Sequence, residues 1–341
     1  MDRSLSVVGV DLGGTNVRAQ AVFPDGEPAG QRFEHPSHAQ SGTEKILDAV
    51  SFTVRQAVSA STVPVKAIGL SIPGHIDDDR GLVRWAPNFG ATVDGVFQYW
   101  VDVPMKDALQ SRLQLPIVMA NDANAAAYGE YKFGSGKGNA NCLVLLTLGT
   151  GIGGGVVMGP RSVHGKSSGP LLLLGGNQGG AELGHILLLH NGQDCNAGSY
   201  GAMEAYCQRD MIVKRATHEL RRGRQSLLNE LTEGDIGKVT PKLISEAADR
   251  GDEVSQDVLA ETGRMLGAGM GSLINIFSPD ILAVGGQIAK AGKWLLDPAI
   301  KEARKVAIPS LFADAKIQLA EQIDNAGLLG AAALALEVDR D

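Results

Sequence analysis

Three short segments of polar residues and glycine carry groups suited to handling a phosphate and a hydroxyl: Asp11-Leu-Gly-Gly-Thr-Asn16, Asn121-Asp-Ala-Asn124 and Thr147-Leu-Gly-Thr-Gly-Ile-Gly-Gly-Gly155. The first follows the apolar run Leu5-Ser-Val-Val-Gly-Val10. The third joins Cys142-Leu-Val-Leu-Leu146 to Ile152-Gly-Gly-Gly-Val-Val157, so both read as turns inside β-hairpins. Such turns expose backbone N–H groups that suit anionic oxygens. Phosphoryl transfer to an alcohol also needs a divalent metal on oxygen ligands and a carboxylate that takes the hydroxyl proton. Asp11 and Asp122 divide those tasks. Asp122 falls where a strand ends and a helix begins, so its side chain is expected in a cleft, with the helix amino terminus favouring its ionised form. The adjacent Asn121 is available to cap that helix in its place.

Several other features take plainer readings. Gly149-Thr-Gly-Ile-Gly-Gly154 has the form of a dinucleotide fingerprint, but a strand follows it where that fingerprint requires a helix. Gly165-Lys-Ser167 resembles the end of a P-loop, yet the earlier glycine would fall at Pro160. His75, His164 and His190 read as surface or loop histidines, and Asp77-Asp-Asp79 as a solvated hairpin turn. Gly263, Gly267, Gly269 and Gly271 thread a helical pattern, which points to close approach by ATP or by another helix.

The elements that must position these groups follow from periodicity. The chain opens with strand, glycine turn, strand (Val17 to Phe23), and a further strand at 31–34. Thr43 to Ala60 has helical spacing with Thr43 as cap, and Val65 to Ile72 is a buried strand. A helix at 104–113, a strand at 116–120 and an alanine-rich helix at 123–131 come next. Strands recur over 141–163. Helices then follow at 201–220, 240–248 and 253–277, with a strand at 280–284 and a last helix at 325–336. The order of strands, helix, strand thus occurs twice, a duplication of architecture without a residue-level repeat.

A chain of 341 residues exceeds the size at which one hydrophobic core stops growing, so two domains with a cleft between them are expected. Glycine supplies 44 residues, well above the average share, which implies many tight turns or close backbone approaches. A net charge of −7 and the lack of any basic block beyond Arg221-Arg-Gly-Arg224, read as a solvated helix end, exclude nucleic acid as a partner. Three cysteines, Cys142, Cys195 and Cys207, give no disulfide framework and suit a reducing cytoplasm. No apolar segment is long enough for a membrane span, and the few residues before the first motif leave no room for a signal peptide or a DNA-binding module.

Seven segments in order resemble the ROK family of sugar kinases and related repressors, within the actin-like ATPase superfamily, and its glucokinase branch most. They are the three above together with Ser71-Ile-Pro-Gly74, Ala86-Pro-Asn88, Glu182-Leu-Gly-His185 and Asp280-Ile-Leu-Ala-Val-Gly-Gly286. The resemblance implies an α/β, two-domain actin-like ATPase (ribonuclease H-like) fold. Its domains would be 1–119, completed by the helix at 325–341, and 120–324, with the active site between them. It implies ATP-dependent phosphorylation of a hexose, glucose first, at the 6-hydroxyl, with Asp122 as general base. Gly74, Asn88, Asn121, Glu182, His185 and Glu204 would hold ring hydroxyls, work that Asn, Glu and His groups suit. Asp11, Gly13, Gly14, Thr15 and Asn16 would clasp the ATP phosphates against Thr147, Gly149, Thr150 and Gly151, with Asp11 near Mg²⁺, directly or through water. Gly285 and Gly286 would let the backbone approach adenosine. A homodimer is implied by resemblance alone. Rival readings are a kinase for N-acetylmannosamine, N-acetylglucosamine, fructose or allose, polyphosphate in place of ATP as donor, and a sugar sensor without phosphoryl transfer.

One departure concerns zinc. The family binds it through the His of the Glu-x-Gly-His segment and three cysteines that begin ten residues later. Here His185 and Cys195 keep that spacing, but Ala197 and Ala202 replace two thiolates. Zinc wants four N or S ligands, so the family metal is expected to be absent unless Cys207, Asp194 or His190 fills a rearranged site. The apolar run Pro170-Leu-Leu-Leu-Leu174, inside a long segment at 159–180, could line a lid, fill the space of the missing metal or form a subunit contact.

Overall fold

Two five-stranded sheets with the same strand order carry the molecule, and each begins with one of the glycine hairpins. A computed structural model describes residues 3–165, 169–195 and 197–338. Lys166 and Ser167 of the P-loop-like triplet, and residues 339–341 of the carboxy-terminal segment, lie outside the described residues.

In the first sheet β1 (Ser6–Leu12), β2 (Asn16–Val22) and β3 (Phe33–Pro36) form an antiparallel meander. The chain then crosses through α1 (Thr43–Ser59) to β4 (Val65–Ile72), parallel to β1. A three-stranded ribbon follows, β5 (His75–Asp77), β6 (Leu82–Val93) and β7 (Val96–Val103). Helix α2 (Met105–Leu113) then leads to β8 (Ile117–Asn121), completing the order β3-β2-β1-β4-β8. Helix α3 (Asp122–Phe133) carries the chain to β9 (Cys142–Leu148), β10 (Ile152–Met158) and β11 (Leu171–Leu172).

The helical segment comprises α4 (Met203–Cys207), α5 (Arg209–Arg221), α6 (Leu228–Leu231), α7 (Pro241–Asp249) and α8 (Glu253–Phe277). Strand β12 (Ile281–Gly285), helices α9 (Lys293–Val306) and α10 (Pro309–Asp314), and β13 (Lys316–Leu319) close the second sheet as β11-β10-β9-β12-β13. Helix α11 (Ala326–Ala335) ends the fold. The expected duplication is therefore present at the level of sheet topology.

Three expectations need correction. The side chain of Thr43 does not cap α1, whose N-cap is Gly42 at φ 96°; Thr43 Oγ1 instead accepts a bond from Trp100 Nε1 at 3.0 Å. The helix expected over 201–220 breaks at Gln208, which is extended, so that the Arg209 N–H can reach the carbonyl of Gly149 at 3.0 Å. The acidic turn at 77–79 is not merely solvated, because Asp78 Oδ1 accepts from the Met119 N–H at 2.8 Å and from Lys106 Nζ at 2.9 Å.

The glycines of α8 answer to a helix and not to a nucleotide. A Cβ at Gly263, Gly267 or Gly271 would strike α9, and one at Gly269 would strike Met203 Sδ. At Gly267 the obstacle is the Ala299 carbonyl oxygen, 2.2 Å from the ideal Cβ position. Gly267→Ala should gain about 1 kcal/mol of helix propensity and lose more to overpacking, which costs about 1–3 kcal/mol and belongs at the upper end against backbone. Urea unfolding should show a net loss of about 2 kcal/mol. A variant as stable as the parent would mean that α8 and α9 can separate without cost.

Candidate active site

Strand β8 ends on Asn121 and α3 starts on Asp122, and the first side chain fixes the second. Asn121 Oδ1 caps the helix, accepting from the N–H groups of Ala123 at 2.9 Å and Asn124 at 3.3 Å. Its Nδ2 donates to the Gly74 carbonyl at 2.8 Å. Asn121 is thus largely committed to positioning, leaving Asp122 free of the capping task. Asp122 Oδ1 accepts from the Ala123 N–H at 2.9 Å, and its carboxyl faces an open cleft of about 470 Å³.

That cleft gathers most of the residues singled out from the sequence. Asn88, Asn121, Asp122, Thr147, Gly149, Thr150, Gly151, Glu182, Glu204 and Gly286 all line it. Asn88 lies where the pairing of β6 with β7 shifts register, a bulge that re-aims a side chain. Gly74 sits just outside, at φ 122°, where a Cβ would meet the Trp85 carbonyl oxygen at 2.3 Å. Gly285 and His185 are not among the lining residues, although His185 lies beside Glu204. Asn124 and Gln287 line the cleft without having been assigned a role, and Asn124 Oδ1 is buried with no hydrogen-bond partner among the described residues. An orphaned acceptor is a structural signal that sequence alone does not carry.

Two turns present free donors. Gly149 donates to the Gly151 carbonyl, while the N–H groups of Thr150 and Gly151 make no hydrogen bond among the described residues. Gly13 likewise donates to the Asn16 carbonyl and leaves the N–H groups of Gly14 and Thr15 unpaired among the described residues. The Asp11 turn does not line the 470 Å³ cleft, and the Asn16 side chain is bound to Glu34 at 2.6 Å. The Asp11 carboxyl nonetheless feels the charge of Asp122.

The electrostatics depart from one expectation. The α3 amino terminus does not leave Asp122 with an easily ionised carboxyl; surrounding protein on its inner side, reinforced by the charge of Glu182, holds its pKa above the ordinary value of 3.8. A helix terminus contributes about 0.3–1 kcal/mol, and desolvation outweighs it. Asp11 is raised too, by burial and by Asp122, with Arg18 at 3.8 Å offsetting part of the effect. Glu182, exposed at the cleft, is raised by the protein packed around its base and by Glu204, against the opposing pull of His185 and His75. Crowded carboxylates of this kind suit a hard divalent cation on oxygen ligands, and Asp11 fits that role.

The family zinc does not fit. Ala197 and Ala202 bring no donor, and Cys207 is committed elsewhere, against the Thr262 carbonyl. His185 Nδ1 and Cys195 Sγ stay 3.8 Å apart with Ser199 Oγ beside both, 3.5 and 3.0 Å away. Glu204 supplies a third nearby donor group, but its Oε2 accepts from the Ile152 N–H at 2.8 Å. The four-ligand thiolate set is therefore not assembled. Chelation by EDTA should leave the melting temperature of the nucleotide-free protein unchanged; a fall of several degrees would assign a structural metal to the remaining cluster.

The segment at 171–182 bridges the two halves of the molecule. Leu171 and Leu172 extend the second sheet, and the chain then crosses to the first half of the molecule. His75 Nε2 bonds the Asn177 carbonyl oxygen at 2.7 Å, and Gln178 Oε1 accepts from the Asp78 N–H at 2.9 Å. Gly180 and Ala181 line the cleft beneath this contact.

Comparison with known proteins gives a consistent answer. The profile of the ROK family matches residues 7–338. A glucokinase of Streptomyces coelicolor is 34% identical over 97% of this chain and 98% of its own length, and a glucokinase of Thermotoga maritima is 32% identical over 98% of each. Among solved structures, a ROK family glucokinase from Streptomyces griseus, in complex with glucose and AMPPNP, superposes with a TM-score of 0.79 at 34% identity, covering 97% of this chain and 99% of that one.

The raised pKa of Asp122 makes a test of stability. A carboxyl whose folded pKa lies above its unfolded value favours folding while protonated, and that contribution is lost as pH rises through the folded pKa. Asp122→Asn should therefore melt at a higher temperature than the parent at neutral pH, with the gap closing below pH 3.8. An equal or lower melting temperature at pH 7 would contradict the assigned environment.

Proposed function

The chain belongs to the ROK family and has its actin-like ATPase fold, and from that premise we propose that it transfers the terminal phosphoryl group of ATP to the 6-hydroxyl of a hexose, glucose foremost. The observation that carries this reading is the Asp122 carboxyl, anchored through Oδ1 and lining the same cavity as Thr150 and Gly151, whose N–H groups make no hydrogen bond among the described residues. The identity of the Streptomyces and Thermotoga glucokinases and the ligands of the Streptomyces griseus complex support glucose and ATP over other pairs.

In this mechanism the hexose 6-hydroxyl donates to Asp122, which accepts its proton as the oxygen attacks. A raised pKa makes the carboxylate a stronger base than an ordinary aspartate. Asn88, Glu182, Glu204 and His185, with the Gly74 turn, fix the ring hydroxyls so that only one oxygen reaches the phosphate. The Thr147–Gly151 turn and the Gly13–Asn16 turn hold the phosphates from the two sides, and Gly286 meets the adenosine. Asp11 would hold Mg²⁺, which when bound neutralises phosphate charge. Residues 1–119 with the carboxy-terminal helix, and 120–324, act as two domains whose closure, with the 171–182 segment, excludes water. The protein would work in the cytoplasm as a homodimer.

Asp122→Ala should lower kcat by about 10²–10⁴ with hexose affinity nearly unchanged. A coupled ADP-release assay over a hexose panel, with ATP and polyphosphate compared as donors, checks this. Turnover that survives the substitution would remove Asp122 as base, and sugar binding without turnover on any hexose would make the protein a sensor.

A further inference from the structure

A second cavity, of about 480 Å³, opens between α5 and α8, away from the residues of the cleft. Its carboxylates are already engaged. Arg224 holds Glu219 at 3.4 Å and Asp257 at 2.8 Å, and Arg264 holds Glu261 at 2.5 Å. Lys214, Arg215 and Arg221 line the same cavity and form no ion pair among the described residues. Arg215 is the most constrained of them: one nitrogen donates to Thr262 Oγ1 at 3.0 Å, and burial holds its pKa below the ordinary value despite the nearby Cys207 and Glu261. A guanidinium carries five donors, and the remaining ones here form no hydrogen bond among the described residues. In a chain of net charge −7, such a concentration of uncompensated cations runs against the overall sign.

We propose that the α5–α8 cavity binds a phosphate-bearing small molecule, with Arg215 as the inner anion donor and Lys214 and Arg221 as the outer pair. A planar guanidinium matches phosphate oxygens, and charge-assisted bonds of this kind are roughly twice as strong as neutral ones. The volume suits a small ligand, and Met211 and Val258 give it an apolar wall. Occupancy would be felt at the cleft, because α5 begins at Arg209, whose N–H is bonded to Gly149 of the phosphate turn. The basic run ending in Arg224 is thereby a ligand surface and not only a solvated helix end.

Calorimetric titration with orthophosphate and, separately, with glucose 6-phosphate tests this at fixed ionic strength, with glucose and a non-hydrolysable ATP analogue in excess. Saturable binding is expected, weakened at least tenfold in the exposed Lys214→Ala/Arg221→Ala double variant and in Arg215→Gln, with kcat of the double variant in the absence of either anion unchanged. Binding of both anions would show that the phosphate group suffices, and binding of glucose 6-phosphate alone that the sugar is read as well. Absence of saturable binding, or equal binding by the double variant, overturns the proposal. Because none of the three substituted residues belongs to the cleft, failure here leaves the kinase reading intact, and loss of turnover in Asp122→Ala leaves this one intact.

Discussion

Asp11, Asp122 and Glu182 each hold their protons more tightly than an ordinary carboxyl, because surrounding protein and a neighbouring carboxylate (Asp122, Glu182 and Glu204 respectively) press on each of them. Their compensation is sparse: Arg18 reaches Asp11 only at 3.8 Å, and His75 and His185 stand near Glu182. What fixes them is backbone. Asp122 leans on the N–H of Ala123, and Glu204 on that of Ile152. A Cβ at Gly151 would come within 2.4 Å of Glu204 Oε2, so glycine there is what lets the carboxylate settle against the turn. Unspent negative potential in a cleft is a poor arrangement for stability and a good one for receiving hydroxyl donors and a divalent cation.

The same close approach of backbone explains how the two sheets are joined. Helix α11 is apolar on all sides and packs against β1, β4 and α3 at once. Its seat needs glycines on both partners: a Cβ at Gly69 would lie 1.8 Å from the Ala331 carbonyl oxygen, and one at Gly330 would lie 1.9 Å from that of Ala125. The helix begins beneath the first carboxylate, where a Cβ at Gly327 would stand 2.7 Å from Asp11 Oδ1. The carboxy-terminal helix thus touches the floor under Asp11 and the helix that Asp122 opens.

Local chemistry was legible in the sequence and long-range chemistry was not. The glycine turns, the Asn121 cap and the ends of α8 follow from residue types within a few positions of one another, and the structure has them. The β6–β7 ribbon escapes notice because β7 is exposed along most of its length, with Trp100 buried against Phe89, so its pattern does not alternate. Glu130 and Asp280 read as ordinary charges, yet Glu130 accepts the N–H groups of Ser135, Glu321 and Gln322, and Asp280 those of Asn141 and Cys142. No spacing rule announces a carboxylate whose partners lie 139 or 191 positions away.

The loss of two thiolates bears on Glu204, because the segment that would surround a metal is the one that delivers this residue to the Thr147–Gly155 turn. Without four ligands the segment needs other ties, and it has them: the Gln193 N–H donates to the Tyr206 hydroxyl at 2.8 Å, the Cys195 N–H donates to the Ser199 carbonyl at 2.8 Å, and the Met203 N–H donates to the Ile186 carbonyl. Gly201 at φ 68° brings the loop within reach of the Leu189 carbonyl, a position that no side chain could share. Met203 in turn is wholly buried and packs against Gly269 of α8. A hydrogen-bonded, packed loop can therefore position Glu204 where a metal would otherwise do so, and the residue that reaches the cleft is steadied from the same long helix that borders the α5–α8 cavity.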